Sequence, residues 1–201
     1  MFYRPGEGHG LPHDPFKAIV APRPIGWIST KVKDGAVNLA PYSFFNAVVG
    51  KPPIVMFSSE GWKDSVANAD ETGAFVCNFV SARQMDAMNA TSAPLPKGIS
   101  EFEHSGLQMG EGTAVDVPHV AGCPAVLECK TTQIIQQTDA AGAKLDTFTA
   151  FGEVVGVHID DDMLVDGLFD TAKAQPIMRL GYRDFGALGE VFQMRRPADP
   201  A

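Results

Sequence analysis

The stretch "APRPIGWISTKVKDGAVNLAPYSFFN", Ala21 to Asn46, decides the fold. Two apolar, β-branched runs flank a turn at Lys33–Gly35, and Asp-Gly between such runs is a strong hairpin signal. Short polar side chains interrupt both runs, at Ser29, Thr30, Asn38, Ser43 and Asn46. Pro22, Pro24 and Pro41 stand where a central strand avoids proline, which offers no ladder N–H. A strand pair with so many hydroxyl and amide groups has something other than apolar side chains to accommodate.

Working outward, "PPIVMFSS" (Pro52 to Ser59) is short and continuously apolar, which predicts a strand buried on both faces. "KDSVANADET" (Lys63 to Thr72) predicts a helix capped by Asp64 or Ser65, and "GAFVCNFV" (Gly73 to Val80) a strand. "SARQMDAMNATS" predicts a second helix with Ser81 as its N-cap. A further helical turn is expected at Glu101–His104. "AVLECKTTQIIQQT" (Ala125 to Thr138) and "TFTAFGEVVGVHID" (Thr147 to Asp160) predict two long strands around a polar loop. "DDMLVDGLFD" is expected as a short surface helix. The strands outnumber the helices and turn signals are frequent, so a mainly β barrel with helical excursions is expected. With 201 residues, no repeat and no linker, residues 1–201 read as one domain, with 1–13 an irregular lead-in.

Composition narrows the function. A net charge of −8 argues against nucleic acid or an anionic membrane as the main partner, while leaving room for a local cationic pocket. Cys77, Cys123 and Cys129 show no CxxC or zinc spacing and read as reduced thiols of a cytoplasmic protein. No signal-peptide h-region or apolar run of membrane-spanning length is visible. There is no Rossmann or P-loop glycine pattern after a strand, no HExxH among the five histidines and no G-x-S-x-G elbow. No metal centre or hydrolytic triad is therefore expected.

What remains is the polar hairpin and a helix opening with Lys63-Asp64-Ser65. A helix start with a lysine and a hydroxyl suits a phosphomonoester, and it also suits an ordinary capped surface helix. Ser29, Thr30, Asn38 and Ser43 suit the edge of a planar heterocycle, and equally solvent or turns.

"RPIGWIST", "NLAPYSFFN", "KDS" with Asn68, "ETGAFVCNFV", "FGEVVGVHID" and "PIMRLGYRDF" together resemble the flavin reductase-like family, over about Asp14 to Arg196. The resemblance implies a six-stranded Greek-key FMN-binding split barrel. It also implies a homodimer with flavin at the interface, NAD(P)H as electron donor and FMN rather than FAD. Carried onto this chain, Ser29 and Thr30 would lie along the isoalloxazine. Asn38 and Ala40, Pro41, Tyr42 and Ser43 would follow the ring and ribityl chain. Ser43, Lys63 and Ser65 would hold the phosphate, with Asp64 capping the helix or orienting Lys63. The chemistry belongs to the cofactor, so no catalytic side chain is demanded.

Other residues carry two readings each. His158 contacts nicotinamide or flavin, or is a structural histidine near a turn. His104 gates substrate, or is an exposed helix-end residue. Trp27 and Trp62 flank the cofactor, or pack in core and interface. Phe44 and Phe45, being adjacent on a strand, must face opposite sides. Tyr182 and Arg183 are expected at the partner subunit. The expected activity is NAD(P)H:flavin oxidoreduction; the alternative is an FMN-carrying electron-transfer or binding protein with little such activity. A third reading binds an organic substrate beside fixed FMN.

Overall fold

The computed structural model describes residues 1–33, 35–95 and 99–197; Asp34 of the expected turn lies outside them. The hairpin forms as β1 (Gly26–Lys31) against β2 (Val37–Tyr42), with Gly26 opposite Tyr42 and Thr30 opposite Asn38. After Ser43 and Phe44 the chain continues as β3 (Phe45–Gly50), which pairs with β4 (Pro53–Glu60). Helix α1 (Asp64–Thr72) leads to β5 (Ala74–Asn78), followed by helices α2 (Met85–Ala90) and α3 (Glu101–His104). The two long strands are β6 (Ala125–Thr138) and β7 (Lys144–Ile159).

The main sheet has seven strands in the order β2-β1-β5-β6-β7-β4-β3. Its two ends, β2 and β3, are separated only by Ser43 and Phe44, so Val37 to Gly50 runs as one strand bent in the middle. Half of that strand pairs with β1 and half with β4, which closes the sheet on itself. Counted this way the barrel has the six strands expected. Closure demands coiling, and β7 supplies it with register shifts against β6 between Phe151 and Gly152 and between Val154 and Gly156. Gly152 is required there: a Cβ would lie 2.4 Å from Phe75 Cζ.

Two apolar clusters flank the hairpin because successive side chains alternate between its faces. Ile28, Phe57, Val66, Phe75 and Ala150 form one, with α1 packed on it. Trp27, Leu39, Val76, Met88 and Phe102 form the other, beneath α2 and α3. Trp27 is wholly a core residue, its Nε1 donating to Thr91 Oγ1 at 2.9 Å. Phe44 and Phe45 do face opposite ways. Phe45 packs on the first cluster, while Phe44 lies under the cations of Lys17 and Arg23.

Three expectations are corrected. β4 is not buried on both faces: Val55, Phe57 and Ser59 point inward, while Ile54, Met56 and Ser58 stay half-exposed. A continuous apolar run does not distinguish these cases. The residue at the N-cap of α1 is Lys63, no side chain caps that helix, and Asp64 and Ser65 already lie inside it. "DDMLVDGLFD" is not a helix. A 3-10 turn at Asp161–Met163 is followed by a tight hairpin, Leu164–Val165 against Leu168–Phe169. Asp166 and Gly167 both take positive φ, 51° and 77°, as such a two-residue turn requires. Further on, β8 (Ile177–Arg179) and β9 (Phe185–Ala187) form a second small hairpin, to which Arg23–Pro24 adds an edge.

Candidate functional site

Polar side chains of the hairpin and of α1 meet. Asn38 Nδ2 donates to Ser65 Oγ at 2.9 Å, and Asn68 Nδ2 donates to Thr30 Oγ1 at 3.1 Å. The Tyr42 hydroxyl bonds with Ser65 and Ser59, and burial raises its pKa above the usual phenol value. A neutral polar network thus ties the hairpin to the helix. It accounts for much of the hydroxyl and amide content of the opening stretch, because buried polar groups must find partners.

This places the expected ring contacts differently. Ser29 and Thr30 are fully buried. Ser29 Oγ donates to the Pro118 carbonyl at 2.7 Å and accepts from Asn78 Nδ2 at 3.2 Å. Thr30 is taken by Asn68. Their side chains support the strand and are not free for a ligand, because the hairpin is covered on both faces. The Ser65 hydroxyl is likewise 1% exposed and already engaged.

Three features stay accessible. Asn38, Ala40, Pro41, Tyr42 and Ser43 are half-buried along the strand. On the edge of β2 that faces away from β1, the Leu39 N–H is met by the Glu101 carboxylate of α3 at 3.1 Å. Pro41 stands next on that edge, where its missing N–H costs no ladder bond. Lys63 is exposed and makes no ion pair among the described residues, beside the uncapped first turn of α1. Uncapped amides and an unpaired lysine together attract an anion. Pro41 and Ser43 also line a cavity of about 390 Å³ that contains Arg179 and Arg183.

His158 is claimed elsewhere. Its Nε2 bonds the fully buried Glu128 carboxylate, and its ring lies 4.9 Å from that of His119. Glu128 also accepts the N–H groups of Thr113, Ala114 and Val115. Burial alone would raise the Glu128 carboxyl, but the bonds from His158 and these three amides outweigh it and hold the group at about 2. Burial, helped by His158, lowers His119 below its ordinary value. His104 is exposed at the end of α3. Trp62 is 49% exposed, edge-on to Phe148. Tyr182 sits in a left-handed turn and packs against His13.

A barrel closed by one bent strand, with a polar-tied helix start at that strand, is the arrangement the motifs imply. The sequence profile described as the flavin reductase like domain matches residues 20–177. The chain belongs to the flavin reductase-like family. An uncharacterized protein of Halalkalibacterium halodurans is 37% identical over 183 residues, 89% of this chain and 87% of that protein. The crystal structure of nitrilotriacetate monooxygenase component B from Bacillus cereus is similar at TM-score 0.88 and 29% identity, covering 96% of this chain and 98% of that one. A split-barrel protein of Shewanella frigidimarina shares the fold at TM-score 0.79 and 21% identity, covering 90% and 89%. Family and fold together make this a flavin-related oxidoreductase with a split β-barrel.

Sequence reasoning missed Glu101 and Glu128. Glu101 gave no signal beyond its place in an acidic helical turn. Glu128 did: it follows Val126 at period 2 in a strand, a charged residue on the inward face.

Proposed function

We propose that the protein binds FMN along β2, with the phosphate at the start of α1, and passes hydride from NAD(P)H to the flavin. The observation that carries this reading is the uncapped first turn of α1 with Lys63, unpaired among the described residues, tied through Ser65 and Asn38 to the edge strand. When bound, flavin supplies the two-electron redox chemistry.

The chain's own part is to hold and orient. The Lys63 ammonium and the first-turn amides take the phosphate, which favours a monophosphate over FAD. The open edge of β2 and Asn38 face the ring and ribityl chain. The network of Thr30, Asn38, Ser65 and Asn68 keeps strand and helix at fixed separation, so ligand binding need not order them. The protein delivers reduced flavin or its electrons to a second acceptor, and a structural relative that is one component of a monooxygenase fits such a division of labour.

The working form is a homodimer in the cytoplasm. The β3–β4 hairpin carries exposed apolar side chains, Val48 50% and Val49 40% exposed. The outward face of β7 adds Val155 and Val157. A two-fold contact would bury the same apolar patch on each chain. All three cysteines are free thiols, which suits a reducing compartment.

Titration with FMN, riboflavin and FAD tests the cofactor assignment. Tightest binding of FMN is expected; equal binding of FAD would remove the dedicated monophosphate site.

A further inference from the structure

Arg179 and Arg183 line the cavity of Ser43 without the counter-charge that such groups normally receive, and Arg23 is buried beside Arg179, outside the cavity lining. Arg23 is 6% exposed and stands opposite Arg179 in the small sheet. It donates to the carbonyls of Lys17, Val20 and Leu180, and its buried Nε has no partner. Arg179 donates to the Tyr182 carbonyl at 2.6 Å and lies over the Phe185 ring at 4.5 Å, so its guanidinium is fixed before any ligand arrives. Arg183 lines the same cavity from the turn between β8 and β9.

Among the described residues, no carboxylate forms an ion pair with Arg23, Arg179 or Arg183, in a chain whose net charge is −8. Clustered like charges without a carboxylate leave room for an external anion. The cavity, about 390 Å³, is large enough for one and offers Ser43, Asn89 and Ser92 as further polar partners.

This is a second anion site, separate from the start of α1. Pro41 lines the cavity, whereas Asn38 and Tyr42 reach Ser65. Odd and even residues of a strand face opposite ways, so the arginines and Lys63 address opposite faces of β2. Two anion sites on one strand fit two phosphate-bearing ligands. We propose that the cavity of Arg179 and Arg183 binds the pyrophosphate of the dinucleotide donor, an assignment that rests on the reductase reading above. The donor's nicotinamide end is thereby steered toward the flavin strand.

The test uses the FMN-loaded protein and its Arg183→Gln variant; Arg183 is exposed, so the change leaves the fold intact. Calorimetry measures binding of inorganic pyrophosphate, fluorescence quenching measures FMN affinity, and turnover is compared for NAD(P)H and a phosphate-free N-benzyl dihydronicotinamide. The expected result is pyrophosphate binding weakened about 10–100-fold, a matching rise in KM for NAD(P)H, and unchanged FMN affinity and N-benzyl turnover. Pyrophosphate binding indifferent to Arg183→Gln, in a protein that oxidises NAD(P)H, would overturn this inference alone. FMN weakened by the same factor as pyrophosphate would assign the cavity to the flavin's own phosphate and overturn it too. Arginine-dependent pyrophosphate binding in a protein that oxidises neither nucleotide would overturn the reductase reading, and with it the donor as occupant.

Discussion

The protein treats its buried charges in two opposite ways. Glu128 is fully buried, and its carboxylate is satisfied by the N–H groups of Thr113, Ala114 and Val115 and by His158. Arg23 is nearly as buried, beside Arg179, yet among the described residues its Nε has no partner and no carboxylate pairs with either group. Burial, then Arg179, lowers the Arg23 pKa, a sign that the cations disfavour one another. In the first, the carboxylate is fully satisfied within the chain and closes the 113–115 loop onto the barrel. The second is not neutralised among the described residues: Arg23 is buried, while its neighbour Arg179 lines the cavity. The satisfied charge closes a loop, and the unneutralised Arg179 and Arg183 carry the proposed donor site.

The largest effect is expected at the satisfied carboxylate of Glu128. Glu128→Ala leaves three amides and an imidazole without their acceptor, and each buried donor so stranded costs about 1–3 kcal/mol. Urea denaturation should show this loss; a variant as stable as the parent would mean that the cluster is not structural. The pH dependence sharpens the same side of the comparison. A carboxyl held at about 2 rather than its ordinary 4.5 contributes stability above 4.5 that disappears as pH falls toward 2. Glu128→Gln carries no such titration, so its stability deficit should narrow between about pH 6 and about pH 3. A deficit constant across that range would contradict the assigned charge.

On the ligand side, Lys63→Ala should weaken FMN by about 10–100-fold and leave riboflavin, which has no phosphate, unaffected. Equal losses for the two flavins would show that the substitution damages the fold, and no loss for either would place the phosphate elsewhere. Asn68→Ala, which removes one neutral bond to Thr30, should lower stability by about 1 kcal/mol, measured by the same denaturation. A loss as large as that of Glu128→Ala would erase the distinction between charged and neutral clusters.

The sequence carried the barrel well because its signals are local. β6 is Ala125–Thr138, as its run of alternating residues predicts, and the polar hairpin forms in the register that pairs Thr30 with Asn38. Asp166-Gly167 was also legible, a turn dipeptide between Leu-Val and Leu-Phe, but the surrounding acids obscured it as a helix. The site was legible only as a set of positions. That Ser29 and Thr30 are turned inward depends on which groups cover the hairpin, and these arrive from Pro118, Asn78 and Asn68. The arginine cluster depends on Arg23 meeting Arg179 across a strand pair. No local pattern announces such a meeting.

The central claim is that this chain holds FMN at β2 and α1 and accepts hydride onto it from NAD(P)H. The most direct measurement is anaerobic mixing of FMN-loaded protein with NADH or NADPH, followed by the flavin absorbance. Rapid bleaching in the parent is predicted, with bleaching by Lys63→Ala falling in step with its lost FMN. A tightly bound flavin that stays yellow with both nucleotides would contradict the claim.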